Sequence, residues 1–237
     1  MRLDQFLTEQ FQISRSRAQL LIKDGAVCVA GKVIKKPSYE IPKQITKESI
    51  VVTDTVKHVS RAGLKLEHAI TTWGIDIKEN KCLDIGSSTG GFTDCLLQYG
   101  ALHVDCVDVG TDQLHEKIKT DPRVSVFEQT DIRNFQGGAY DIVVADISFI
   151  SLTAIIPILV RFCHDQTQIV LLIKPQFEVG KEFLNKQGVV KNELIIQECI
   201  EIIKNNLIEH GFINRGIIDS PILGGDGNKE FLLYATK

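Results

Sequence analysis

Most of this chain is predicted to form an α/β fold: a doubly wound, mostly parallel sheet finished by an antiparallel C-terminal hairpin, with a small α+β domain ahead of it. Three observations predict it. From Lys81 onward, short β-branched runs alternate with helical stretches, a pattern that needs crossover connections and a parallel sheet. The last two apolar runs, 216–222 and 231–236, are joined by a glycine-rich loop without an intervening helix, so they pair antiparallel. The first 52 residues instead show two short helical periods and clipped alternating runs, followed by a polar stretch at 53–60.

The 237 residues thus divide into a domain at 1–52, a linker at 53–60 and a larger domain at 61–237. The apolar share of 43% and charged share of 24% are those of a soluble globular protein. The N-terminus lacks the apolar stretch of a signal peptide, and every apolar run falls short of the ~20 residues of a membrane helix. The expected location is cytoplasmic. Six cysteines and six histidines are dispersed without CxxC, HxxxH or HExxH spacing, which favours buried thiols over disulfides and predicts no metal site.

The net charge of −3 conceals a split. Residues 1–58 hold ten Lys and Arg against six acids, or +4, leaving −7 (17 bases against 24 acids) for the remainder. A basic head suggests a polyanionic partner there. Within it, Leu3, Phe6, Leu7 and Phe11 mark one helix, and Ser14 is placed to cap a second with apolar face Ala18, Leu21 and Ile22. Gly25 ends that helix, Val27, Val29 and Val33 alternate around an Ala30-Gly31 turn, and 50–52 adds a strand. Arg15 and Arg17 sit where free helix N–H groups favour phosphate. Arg2, Lys23, Lys32, Lys35, Lys36 and Arg61 complete the candidate polyanion-binding set; a solvated charged face is the competing reading. The order Arg2-Leu3-Asp4, Ser14-Arg15-Ser16-Arg17-Ala18, Leu21-Ile22, Gly25, Val27-Cys28-Val29, Gly31-Lys32 resembles the S4-type RNA-binding domain, which implies a grip on structured RNA.

In the larger domain the strand candidates are 82–85, 104–109, 124–128, 142–147 and 169–174, with helices around 93–99, 113–119, 154–162 and 193–209. The first strand runs into Asp84-Ile85-Gly86-Ser87-Ser88-Thr89-Gly90-Gly91-Phe92. Its GxxxGG spacing is neither the GxGxxG of a pyrophosphate turn nor a P-loop. Asp108 closes the second strand, where an acid can accept ribose hydroxyls, and Asp131 follows the third. Acids at successive strand ends suit a cationic nucleoside cofactor, S-adenosylmethionine; helix capping is the alternative for any one of them. Candidate cofactor residues are Asp84, Gly86, Ser87, Gly90, Gly91, Phe92, Asp108, Asp131 and Asp146. Asp146 and Lys174 stand at the ends of apolar strands, and Pro175 holds Lys174 extended. Such charges are either paired structurally or used.

The blocks Ser60-Arg61-Ala62-Gly63-Leu64-Lys65-Leu66, Asp84 to Leu96, Asp108-Val109-Gly110, Asp121-Pro122-Arg123-Val124, Asp146-Ile147-Ser148-Phe149-Ile150-Ser151-Leu152 and Lys174-Pro175-Gln176-Phe177-Glu178 resemble the TlyA family of S4-bearing, FtsJ-like ribosomal RNA methyltransferases. The resemblance spans nearly the whole chain. It implies a class I methyltransferase fold, S-adenosylmethionine as methyl donor, and 2′-O-methylation of a cytidine in ribosomal RNA or a ribosomal subunit. It also implies a Lys-Asp-Lys-Glu tetrad falling on Lys65, Asp146, Lys174 and Glu230, with Lys174 the candidate proton acceptor. The early start at Arg2-Leu3-Asp4 resembles the shorter branch acting on large-subunit RNA. Ala62 replaces the first glycine of the family's Arg-Gly-Gly linker block, and His58 replaces an aromatic residue, both at the domain junction. A non-catalytic RNA-binding assembly factor and a membrane-active haemolysin are the alternatives.

Overall fold

The computed structural model describes residues 1–23, 25–42, 44–52, 57–224 and 227–237, with the backbone alone at 16, 17 and 20. Two compact units, Met1–Lys57 and His58–Lys237, divide the chain.

The first unit holds helices α1 (Leu3–Phe11) and α2 (Arg15–Lys23), then strands β1 (Val27–Val29), β2 (Lys32–Val33) and β3 (Ile50–Val52). The strands form an antiparallel sheet in the order β2-β1-β3. Leu3 and Leu7 of α1 meet Ala18, Leu21 and Ile22 of α2 and Val27 of β1 in one core. Ala30 and Gly31 both take positive φ in the β1–β2 turn, as a two-residue hairpin with the sheet's twist requires.

The second unit runs α3 (Ala62–Trp73), β4 (Lys81–Ile85), α4 (Gly91–Gln98), β5 (His103–Val107), α5 (Glu116–Lys119), β6 (Val124–Phe127), β7 (Tyr140–Ala145), α6 (Leu152–Leu159), β8 (Cys163–Ile173), α7 (Pro175–Glu178), α8 (Glu193–Glu209), β9 (Ile213–Asp219) and β10 (Phe231–Thr236). The sheet order is β6-β5-β4-β7-β8-β10-β9. β6, β5, β4, β7 and β8 are parallel, and β10 is antiparallel to both neighbours. Alternate residues feed two cores, as period-two strands must. Leu83, Val143, Leu171 and Leu233 pack against α6 and α8. Cys82, Ile142, Val170 and Leu232 pack against α3 and α4. Strand succession reverses at β4, so the carboxyl edge between β4 and β7 is where such sheets bind ligands.

Three features depart from the sequence reading. Helix α3 was not expected, although Leu66, Ala69 and Ile70 bury one stripe of it. α5 is a single turn, because Asp112 has φ +51 and extended His115 caps it through Nδ1, accepting from Lys117 N at 3.2 Å. β8 begins at Cys163, where polar residues carry no alternation; Thr167 Oγ1 donates to Tyr140 O at 2.6 Å across a register shift. Of the expected linker, 53–56 lies outside the described residues. His58 is buried in the second unit, and Val59 N donates to Asp94 Oδ2 at 2.8 Å. Among the described residues, no helix is long and apolar enough to cross a membrane.

Candidate active site

Register sets the site. Ile85 pairs with Val107 on one side and Ala145 on the other, so Gly86, Asp108 and Asp146 leave three neighbouring strands at one level. Gly86 has φ +78, and a Cβ there would lie 2.8 Å from Asp146 O. Only glycine fits this crossing. Above it opens a cleft of about 590 Å³, walled by Asp108, Asp131, Asp146 and Phe149. A smaller cleft of about 170 Å³ shares Gly86, Asp146 and Ser148, and adds Ser87, Gly91, Phe92 and Lys174.

Of the four expected cofactor acids, Asp84, Asp108 and Asp131 have different surroundings. Asp108 Oδ2 accepts from Ser88 N and Oδ1 from Gly110 N, each at 2.7 Å. Each oxygen keeps a lone pair for a ligand hydroxyl. Asp131 faces the cleft, but both its oxygens are taken by Arg133, whose hydrogen bonds hold the carboxyl below its ordinary range. Asp84 lies inside the sheet and lines neither cleft, because it precedes the end of β4 and points into packed structure. Thr93 Oγ1 donates to its Oδ2 at 2.6 Å, while Oδ1 is buried without a partner. Burial pushes this carboxyl up to about 7, against the Thr93 bond and with smaller contributions from Asp146 and Asp108. Gly90 also lines neither cleft; at φ +88 it lets Leu114 and Ile118 pack against the turn.

The four residues of the expected tetrad converge. Lys65 is carried by α3, Asp146 follows β7, and Lys174 follows β8 in extended geometry with φ −119. Glu230 precedes β10, whose Phe231 pairs with Ile173, so Lys174 and Glu230 stand one step beyond that pair. Lys174 Nζ lies 2.6 Å from Asp146 Oδ1, and Lys65 Nζ lies 2.6 Å from Glu230 Oε2 and 3.9 Å from Asp146 Oδ2. Two cations and two anions form a connected, nearly buried cluster, of which Asp146 and Lys174 line the smaller cleft. Ser148 joins it: Lys174 Nζ donates to Ser148 Oγ at 2.9 Å.

The segment after Asp146 carries features the sequence did not assign. Phe149 has φ +66, is 90% exposed, and its ring lies 5.1 Å from that of Phe177. Lys174 Nζ is 5.8 Å from the centre of the Phe177 ring. Glu178 accepts from Ser151 Oγ at 2.5 Å and from Leu152 N at 2.9 Å, and burial raises its carboxyl. A bulky residue at positive φ was the missing signal, and periodicity does not reveal it.

In the first unit, fully buried Asp4 accepts from Arg2 Nε at 2.9 Å, Arg15 Nε at 3.3 Å and Gln19 Nε2 at 3.0 Å. The Arg2 bond chiefly holds its carboxyl well below the usual range. Both guanidinium groups remain about half exposed, and Lys23, Lys32, Lys35 and Lys36, nearby in sequence, are exposed. The Arg17 side chain lies outside the described residues. Arg61 belongs to the second unit, half-buried at the start of α3.

Comparison with known proteins adds three findings. The family model described as FtsJ-like methyltransferase matches residues 58–237, and the S4 domain model matches 1–44. The chain is 35% identical to the 23S rRNA (cytidine-2′-O)-methyltransferase TlyA of Campylobacter jejuni, over the whole of both. It is 40% identical to the 16S/23S enzyme of that name from Mycobacterium tuberculosis, over 93% of this chain and 84% of the relative. Hemolysin A of Brachyspira hyodysenteriae is 38% identical over 99% of each. A solved structure from Streptococcus thermophilus, carrying a hemolysin description, superposes with TM-score 0.78 at 36% identity, covering all of this chain and 88% of that one.

Proposed function

The chain belongs to the FtsJ-like methyltransferase family, in its S4-bearing TlyA branch, and from that premise we propose that it methylates a cytidine ribose 2′-oxygen in ribosomal RNA, with S-adenosylmethionine as donor. The observation that carries this reading is the convergence of Lys65, Asp146, Lys174 and Glu230 in one cluster, with Asp146 and Lys174 lining the cleft. Large-subunit RNA is the target of choice, because 23S RNA is common to the substrates in both relatives' names. The reaction belongs in the cytoplasm, with the ribosomal subunits.

The larger cleft fits the donor. Asp108 faces it with free lone pairs held rigid by two backbone N–H groups, and Gly86 brings bare backbone to its floor. When bound, the donor supplies a methyl group already activated by its sulfonium. The chain's own contribution is then alignment and a place for the proton. Asp146 and Ser148 fix the direction of Lys174 Nζ, which in its neutral form takes the 2′-hydroxyl proton. Glu230 answers the Lys65 charge, so Asp146 is left for Lys174. Phe149 offers an exposed face on which the target base, turned out of its stack, can lie. The basic residues on the first unit hold phosphates without reading sequence.

The test is incubation of the protein with labelled S-adenosylmethionine and ribosomal RNA, followed by nucleoside digestion. Label in 2′-O-methylcytidine is expected. Label confined to bases would make the chain a base methyltransferase, and no label with intact RNA binding would leave the assembly-factor reading instead.

A further inference from the structure

Three contacts join the segment after β7 to the turn after β8. Lys174 Nζ meets Asp146 and Ser148, the Phe149 ring meets Phe177, and Glu178 holds Ser151 Oγ and Leu152 N. Each strand end thus supplies one side of a three-rung ladder whose middle rung is the exposed Phe149. The backbone of Phe149 is at φ +66, a region that strains a bulky L-residue and persists only where its surroundings over-determine it. The aromatic contact cannot supply that constraint, since Phe149 is 90% exposed. The far rung can. Glu178 is a largely buried carboxylate whose two acceptor bonds land on the first turn of α6, just beyond the strained residue, and charge-assisted bonds to backbone N–H are among the stronger ones.

We propose that Glu178 is a positioning residue for methyl transfer: it latches the segment 148–152 so that Phe149 is held out as a platform for the target base. The inference rests on the reading of Phe149 given above, but it concerns a residue that touches neither substrate nor donor. A purely structural carboxylate would stabilise α6 and leave the behaviour of Phe149 variants unchanged. A latch makes the two residues act as one.

The experiment uses the full chain as Glu178→Ala, Glu178→Gln, Phe149→Ala and the double Phe149→Ala/Glu178→Ala. Single-turnover transfer to ribosomal RNA is read beside hydrogen exchange over residues 148–152. Glu178→Ala is expected to slow transfer about tenfold, the scale of losing bonds to a charged group, with exchange accelerated in that segment. Glu178→Gln should restore both, because its amide oxygen still accepts from Leu152 N and its NH₂ can meet Ser151 Oγ. The double variant should be no slower than Phe149→Ala alone. Losses that multiply, a Gln variant as slow as Ala, or exchange indifferent to Glu178 would each overturn the proposal. Should Glu178→Ala fail to fold, Ser151→Ala removes one bond and carries the same expectations. An unaltered chain without transfer, yet with exchange governed by Glu178, would sink the methyl-transfer reading and leave the latch standing.

Discussion

Lys65 Nζ lies 2.6 Å from Glu230 Oε2, although one residue comes from the first helix of the catalytic unit and the other from the approach to its last strand. The contact is a product of packing and register together. α3 seats Leu66, Ala69 and Ile70 on the sheet, and the β8–β10 ladder pairs Ile173 with Phe231, delivering Glu230 to the same edge. Both side chains are at most a tenth exposed, so neither charge is tolerable alone. Glu230→Ala should therefore destabilise the catalytic unit by about 3–5 kcal/mol, and Lys65→Met/Glu230→Leu should regain most of that while remaining inactive. Denaturant unfolding of the single and double variants checks this. A double variant no more stable than Glu230→Ala would show that the pair is not what the fold requires.

Asp84 gives stability a pH dependence of known sign. Its carboxyl is at about 7 in the fold and near 3.9 unfolded, so the folded state binds the proton more tightly. Its contribution is fully present below pH ~4 and is lost as pH rises through 7, by up to about 4 kcal/mol at ~1.4 kcal/mol per unit. Asp84→Asn keeps an acceptor for Thr93 and removes the titration. Its stability relative to wild type should rise between pH 4 and 8, read by chemical denaturation at each pH. A pH-independent difference would mean that Asp84 stays ionised in the fold.

Asp108 should carry donor binding. Asp108→Ala is expected to weaken S-adenosylmethionine affinity by about 1.5–3 kcal/mol through lost bonds to a charged acceptor, measured by calorimetry on folded protein. Asp131→Ala should do less, because its carboxylate is committed to Arg133. Equal losses at the two positions would reverse that ranking.

On the S4 unit, Arg15→Ala should weaken RNA binding and reduce the slope of affinity against salt by about 1, one phosphate contact fewer. Donor affinity should be unaffected. An unchanged slope would make Arg15 merely a partner of buried Asp4.

Much of this was legible in the sequence, for identifiable reasons. α8 and the strands announced themselves because buried β-branched runs and a long amphipathic period have no competing pattern. The extended geometry of Lys174 at its strand end is readable because Pro175 restricts it. α3 was overlooked because it follows directly on a polar junction, its stripe beginning only at Leu66. Asp84 was expected at the ligand because acids at strand ends look alike, and only register shows that it lies short of the edge. Nothing in the sequence marks the parts played by Phe149, Ser148 and Glu178, since a left-handed backbone and hydrogen bonds between distant turns leave no periodicity to read.

The central claim is that the Lys65–Asp146–Lys174–Glu230 cluster performs the transfer with Lys174 as proton acceptor, and single-turnover methylation of ribosomal RNA by Lys174 variants tests it most directly. Thermal unfolding and donor binding are run on the same samples. Lys174→Ala should fold and bind both partners yet lose ~10²–10⁴-fold in rate. Lys174→Arg should fail as well, because a guanidinium keeps its proton while preserving the ion pair with Asp146. Near wild-type turnover by Lys174→Arg would contradict the account and leave Lys174 as the structural partner of Asp146.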